Sequence, residues 1–238
     1  MHIHMPKPPQ GWRDFFGEVA VIVVGILIAL GGEALVQSWH DRHQAGKALE
    51  AIRDELVVNL GNMQSRIRTE GCIRRRLDQV AEFIDPPKGT RPTRPTWVGR
   101  PQVWLMQSSA AEAARAYGSL SLLPRDQQMA ISAVYGSTTS FADLEKDEQW
   151  AWADLRSIAD DRELSENDRA DLRRSLQRAR YAAWVLNVTA RQASDQAKVL
   201  RIKAVPLVTG SKSVCIPMDT PFQTAVRLSG TADIGEPH

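Results

Sequence analysis

The chain has 238 residues, 43% of them hydrophobic, enough to bury a substantial core, which excludes collagen-like and fully disordered chains. Its 30 basic and 28 acidic side chains leave a net charge of +2, which argues against a dedicated nucleic-acid binder, and two cysteines exclude a disulfide-dense mini-protein. From the N-terminus, the proline-rich MPKPPQG predicts a short polar tail over 1–14. Residues 19–32, VAVIVVGILIALGG, form an uncharged run of 14 between Glu18 and Glu33, short for a bilayer crossing by itself. Phe15, Phe16 and Gly17 before it and Ala34, Leu35 and Val36 after it extend the stretch to about 33 Å of helix, against a hydrocarbon core of about 30 Å. Trp12 and Trp39 fall about 40 Å apart along that helix, the spacing of an aromatic belt at two interfaces. The pattern predicts a transmembrane helix over 15–37. A cleaved signal peptide, with small residues at Ala29-Leu30-Gly31, and a buried core helix are the alternatives; Asp14 and Glu18 offset Lys7 and Arg13 and make a poor basic n-region.

Glu18, Ile22, Gly25, Ala29 and Gly32 recur at four and three residues and share one helix face. Small residues there let a second transmembrane backbone approach, and the Glu18 carboxyl either bonds a partner or snorkels to the headgroups. Lys7 and Arg13 on one side balance Arg42, Lys47 and Arg53 on the other, so charge counting selects no orientation. The long segment after the span is expected to hold the function.

The stretch WRDFFGEVAVIVVGILIALGGEALVQSWHDRH, with Phe15 to Leu30 at its centre, resembles an uncharacterised bacterial family of single-span proteins. That family has a FFGE-type entry, a GILIAL-type apolar run and a helical region beyond. Residues 110–124, AAEAARAYGSLSLLP, are similar to its second block, so the resemblance spans about half the chain. It implies an anchor in the bacterial inner membrane with an exported helical domain, and supplies no catalytic residue.

Beyond the span no proline occurs until Pro86, which predicts a continuous helical rod. Leu49, Ile52, Leu56, Met63, Ile73, Leu77, Val80 and Ile84 form its seam, with Asn59, Arg66 and Glu70 as polar interruptions, Leu60 and Ile67 off phase, and a register shift mid-helix. Arg66 and Glu70 are expected to pair at i, i+4 on a half-exposed face. Residues 85–101 hold five prolines and read as a loop or strap. A helix is expected from Val103 to Tyr117 with Gly118 as its stop, and another from Pro124 to Ala159 burying Ile131, Val134, Phe141, Leu144, Trp152 and Leu155. Trp150 and Trp152 are read as core packing. Ser165 and Asp168 form a variant capping box for the clearest helix, whose seam is Leu172, Leu176, Ala179, Ala183, Leu186, Ala190, Ala193, Ala197 and Leu200. Its partner is expected to be an intramolecular antiparallel neighbour, with homodimerisation as the alternative. From Pro206 the chain reads as an extended tail.

Cys72 and Cys215 are the two cysteines. Export to an oxidising compartment favours a disulfide between them, pinning the tail to the bundle; two separate thiols in the cytoplasm are the alternative. His40 and His43 lie at i, i+3, but two imidazoles without further ligands make no metal site, and they read as interfacial residues. His2, His4 and His238 lie in the tails. The cluster Ser137-Thr138-Thr139-Ser140 lacks a nearby histidine, and nucleotide-binding glycine loops are absent. Arg74-Arg75-Arg76 and Arg173-Arg174 read as solvated helix faces.

The expected architecture is all-α: a transmembrane helix over 15–37 continuing into an antiparallel, coiled-coil-like bundle of about four helices over 38–205, then an irregular tail over 206–238. The expected function is a non-enzymatic, membrane-anchored interaction or scaffold protein, single-pass and largely periplasmic, which contacts lipid and a protein partner or a second copy of itself. No cofactor, metal or nucleic acid is expected. A small-molecule-sensing bundle that signals through a second membrane protein is the alternative.

Overall fold

The computed structural model describes residues 11–160, 163–205 and 212–230. It consists of α1 (Trp12–Arg68), α2 (Glu70–Ile84), α3 (Ser109–Ala116), α4 (Arg125–Arg156), α5 (Glu166–Gln196) and α6 (Phe222–Ser229), with no strand among the described residues. Helix therefore begins at Trp12, within the expected polar tail, whose first ten residues lie outside the described ones.

The 57 residues of α1 make one helix about 85 Å long. Every residue from 15 to 36 is exposed, so this segment is not a core helix, and it is long and apolar enough to cross a membrane. The buried face begins at Ala45 and continues through Ile52, Leu56, Leu60 and Met63. A single residue, Thr69, interrupts the rod: its N–H and Oγ both donate to the Arg66 carbonyl, at 3.1 and 2.8 Å, before α2 resumes with Ile73, Leu77, Val80 and Ile84 buried.

The direction of each helix follows from its cross-contacts. Glu55 meets Tyr135 and Arg66 meets Glu148, so α4 runs parallel to α1. Arg53 meets Leu200, Asp78 meets Arg180 and Asp85 meets Arg173, so α5 runs antiparallel to the α1–α2 rod. Ser137 bonds Gln196 while Ser175 bonds Asp154, which makes α4 and α5 an antiparallel pair as well.

The capping box of α5 is present: Asp168 N–H donates to the Ser165 hydroxyl, and the Asp168 carboxylate accepts from Ser165 N–H. The seam of α5 is buried throughout except for half-buried Ala183. Its N-terminal half joins the cluster around Trp152 and Ile73, and its C-terminal half the cluster around Phe141 and Leu56. In α4 the expected stripe is buried, with Leu144 half-buried, but Trp150 is 75% exposed. Positions two apart on a helix point roughly 200° apart, so Trp152 in the core excludes Trp150 from it.

Three further expectations are overturned here. Helix does not begin at Val103: residues 102–107 are extended and alternate between half-buried (Gln102, Trp104, Met106) and exposed (Val103, Leu105, Gln107), and α3 covers only Ser109–Ala116, ending before Gly118 at φ 72°. Arg66 pairs with buried Glu148 rather than with Glu70, which faces Arg191 at 3.6 Å. The C-terminal tail is not wholly extended, since a 3-10 turn (Ser213–Cys215) packs on α2 and α6 packs on that turn; residues 206–211 and 231–238 lie outside the described ones.

Overpacking tests the alanine seam. Ala190, fully buried, is expected to lose about 1–3 kcal/mol of stability on Ala190→Leu, and exposed Tyr181 less than about 0.5 on Tyr181→Ala, read by thermal unfolding of the full chain in detergent.

Candidate functional site

The strap continues as the extended residues 102–107, which among the described residues have no neighbouring strand, so their backbone groups find partners among side chains. Asn59 clasps Gln107 with both amide atoms: Nδ2 donates to the Gln107 carbonyl at 2.7 Å and Oδ1 accepts from its N–H at 2.9 Å. Trp104 N–H donates to Glu145 at 3.3 Å, and Gln149 Nε2 donates to the Pro101 carbonyl at 3.3 Å. At the far end Glu55 receives Ser109 Oγ at 2.7 Å and Ala110 N–H at 3.0 Å, capping α3 from a neighbouring helix. The same carboxylate accepts from Tyr135 Oη at 2.5 Å; burial, and then this bond, push the phenol pKa upward.

Arg76 secures the other end. It was expected on a solvated face, but it is buried, and its guanidinium donates to the carbonyls of Val98 and Ile216, while Nε reaches Gln79 at 3.1 Å. Burial lowers its pKa to about 10, so it remains charged at neutral pH. Only the third arginine of the run lies on the Ile73–Leu77–Val80 face of α2, so sequence position alone hid its role. Beside it Cys72 is bonded to Cys215, with Cα atoms 5.0 Å apart. Thr96 and Trp97 both donate N–H to the Met218 carbonyl, at 2.9 and 3.0 Å. The C-terminal segment is thus tied to α2 covalently and to the strap by hydrogen bonds.

Deeper in the bundle, Arg66 Nη2 lies 2.5 Å from Glu148 Oε1, both fully buried. Burial raises the Glu148 carboxyl, and the Arg66 charge opposes that. Glu145 shares the cluster, and its pKa is pushed up to about 8, first by burial and in lesser part by Glu148, against the Trp104 N–H and Arg66.

The strap, the end of α4 and the C-terminal segment enclose a cleft of about 720 Å³. Trp97 and Phe222 form an aromatic wall with ring centroids 5.9 Å apart, and Ala153 and Val226 add apolar surface. Among the described residues, Arg100, Arg156 and Asp160 are its ionisable lining groups. Arg100 Nη1 donates to Gln149 Oε1 at 2.7 Å, and Trp97 Nε1 to the Ser213 carbonyl at 2.9 Å, so two lining side chains are held in place. The strap passes close to Ser213 because Gly99, at φ 69°, has no Cβ; one built there would collide with the Ser213 carbonyl oxygen and lie 2.9 Å from Trp97 Nε1.

Of the sequence-selected residues, the structure brings Cys72 and Cys215 together and turns the α5 seam inward. Glu18, Ile22, Gly25, Ala29 and Gly32 lie far from the cleft on the exposed part of α1, and no neighbouring atom approaches within 4 Å of a Cβ at Gly25 or Gly32. His43 stacks on Trp39 at 5.7 Å, and no group of three metal-ligating side chains occurs among the described residues. Sequence reasoning missed the cleft residues Trp97, Arg100, Arg156 and Phe222; the one available signal was a tryptophan set among the prolines of the strap. The chain matches no protein-family model, no curated protein and no solved structure.

Two measurements test this network. The disulfide closes a separation of 143 residues, so Cys72→Ser with Cys215→Ser is expected to cost up to about 5 kcal/mol by chain entropy, seen as a lower melting temperature than that of the oxidised protein. Folded Glu145 retains its proton up to pH about 8, whereas the unfolded chain releases it near the ordinary 4.5. Stability from this group therefore falls as pH rises through that window, by at most about 1.4 kcal/mol per pH unit, and Glu145→Gln is expected to flatten the pH profile of unfolding.

Proposed function

We propose that this protein is a single-span, membrane-anchored helical recognition protein of the bacterial inner membrane, non-catalytic, with its helical domain in the periplasm. The observation that carries this reading is the continuity of α1, one helix from an exposed apolar segment into the core, with no hinge between Val36 and Ala45. That places the first buried side chain about 14 Å beyond the apolar stretch and holds the domain at a set height above the headgroups. In this reading the long helices act as a coiled-coil-like bundle in which α5 runs antiparallel to α4 and to the α1–α2 rod, and the small-residue face of the span contacts a partner's span or a second copy. Because the alanine seam of α5 is occupied within the chain, self-association through it is disfavoured.

The Cys72–Cys215 bond supports the periplasmic side, since such bonds persist in oxidising compartments. A second reading, a small-molecule-sensing domain that acts through another membrane protein, is favoured by the aromatic and cationic lining of the cleft.

Fractionation of cells expressing the full chain tests the anchor. The protein is expected to resist carbonate extraction and to react with an impermeant thiol reagent in intact cells only after mild reduction. Release by carbonate, or labelling that requires lysis but no reductant, would overturn the membrane or periplasmic assignment respectively.

A further inference from the structure

We propose that the cleft between the strap, the end of α4 and α6 binds an organic oxyanion, a carboxylate or phosphate carried on a flat apolar body. The inference rests on the recognition reading above and names the ligand class of its cleft.

The charges come first. Arg173, Arg174, Arg180 and Arg191 on the helix surfaces each meet a carboxylate. Arg100 and Arg156 line one open space and, among the described residues, neither has a carboxylate within ion-pair distance. They disfavour one another: burial lowers the pKa of Arg100, and the neighbouring Arg156 charge adds to that effect. An oxyanion between them relieves this repulsion. Asp160 shares the rim, so among the described residues the ionisable lining groups leave one net positive charge, which suits a single anionic head better than two.

The geometry agrees. Gln149 holds one nitrogen of Arg100, leaving the remaining donors of a planar fork whose shape matches carboxylate and phosphate oxygens. Trp97 is fixed through its indole N–H, so the aromatic wall is preorganised and loses little entropy on binding. Phe222 and Val226 complete an apolar side against which a ring lies flat. Head and body thus have separate receptors in one cleft, whose strap and C-terminal sides are tied to α2 by the disulfide and Arg76.

Isothermal titration of the purified full chain in dodecylmaltoside tests this with three probes: indole-3-acetate, phenyl phosphate and the neutral indole-3-ethanol, each corrected against protein-free micelles. At least one anion is expected to bind saturably at one site per chain and indole-3-ethanol not to; the tighter anion identifies the head group. Arg156→Ala and Arg100→Lys are each expected to weaken the anion about 10-fold or more, with the melting temperature of the unliganded protein within 2 °C or so of the parent. Arg180→Ala, which removes a surface arginine elsewhere, is expected to leave binding unchanged. Saturation by neither anion, equal binding of indole-3-ethanol, or full affinity in a folded Arg156→Ala protein would overturn the proposal. Because the titration is independent of membrane insertion, it and the fractionation experiment can fail separately.

Discussion

Asn59 clasps the backbone of Gln107 as a neighbouring β-strand would, and much of the domain's buried polarity is arranged around the same need. An extended segment lying against helices has N–H and C=O groups that neither a helix nor a sheet satisfies, and each one left unpaired away from water costs on the order of 1–3 kcal/mol. Asn59, Glu145, Gln149 and Arg76 answer that need from three different helices. The polar interruptions in the α1 seam are therefore structural: an apolar residue at position 59 would strand the groups that Asn59 now pairs.

This arrangement places the strap between two polar anchorages and carries it to the end of α4, where it turns at Gly99 and meets the C-terminal segment. There the disulfide and the Arg76 guanidinium converge on neighbouring residues, Cys215 and Ile216. The cleft is a by-product of that junction: three pieces of chain from residues 96–100, 149–160 and 213–226 meet without filling the space between them. Its two arginines remain without carboxylate partners while most surface arginines of α5 have one.

The rod of α1 and α2 gives the molecule its axis. The exposed apolar segment lies at one end, and the direction of α5 places its N-terminal turn, with the strap entry and the cleft, at the other. Thr69 breaks the rod between these ends, so α1 carries the apolar segment and α2 the end of the bundle that the strap leaves.

What the sequence by itself determined is what local periodicity and single residues decide. The exposed apolar helix, the α5 seam with its Ser165–Asp168 box, the Gly118 stop and the start of α4 after Pro124 were all legible because each depends on spacing along one element. The cysteine pair was legible because two cysteines allow a single intrachain bridge. Only the tertiary structure decided that residues 102–107 extend rather than coil, since VWLMQ carries a helix-compatible composition and its conformation is set by side chains 40 to 50 positions away. The same holds for Arg66 and Arg76, whose partners lie 82 and 140 residues along the chain, and for the cleft. Nothing in the local pattern distinguishes a solvated arginine from a buried one when the acceptor belongs to a remote backbone, because the desolvation that selects the pairing exists only after the helices have closed over it.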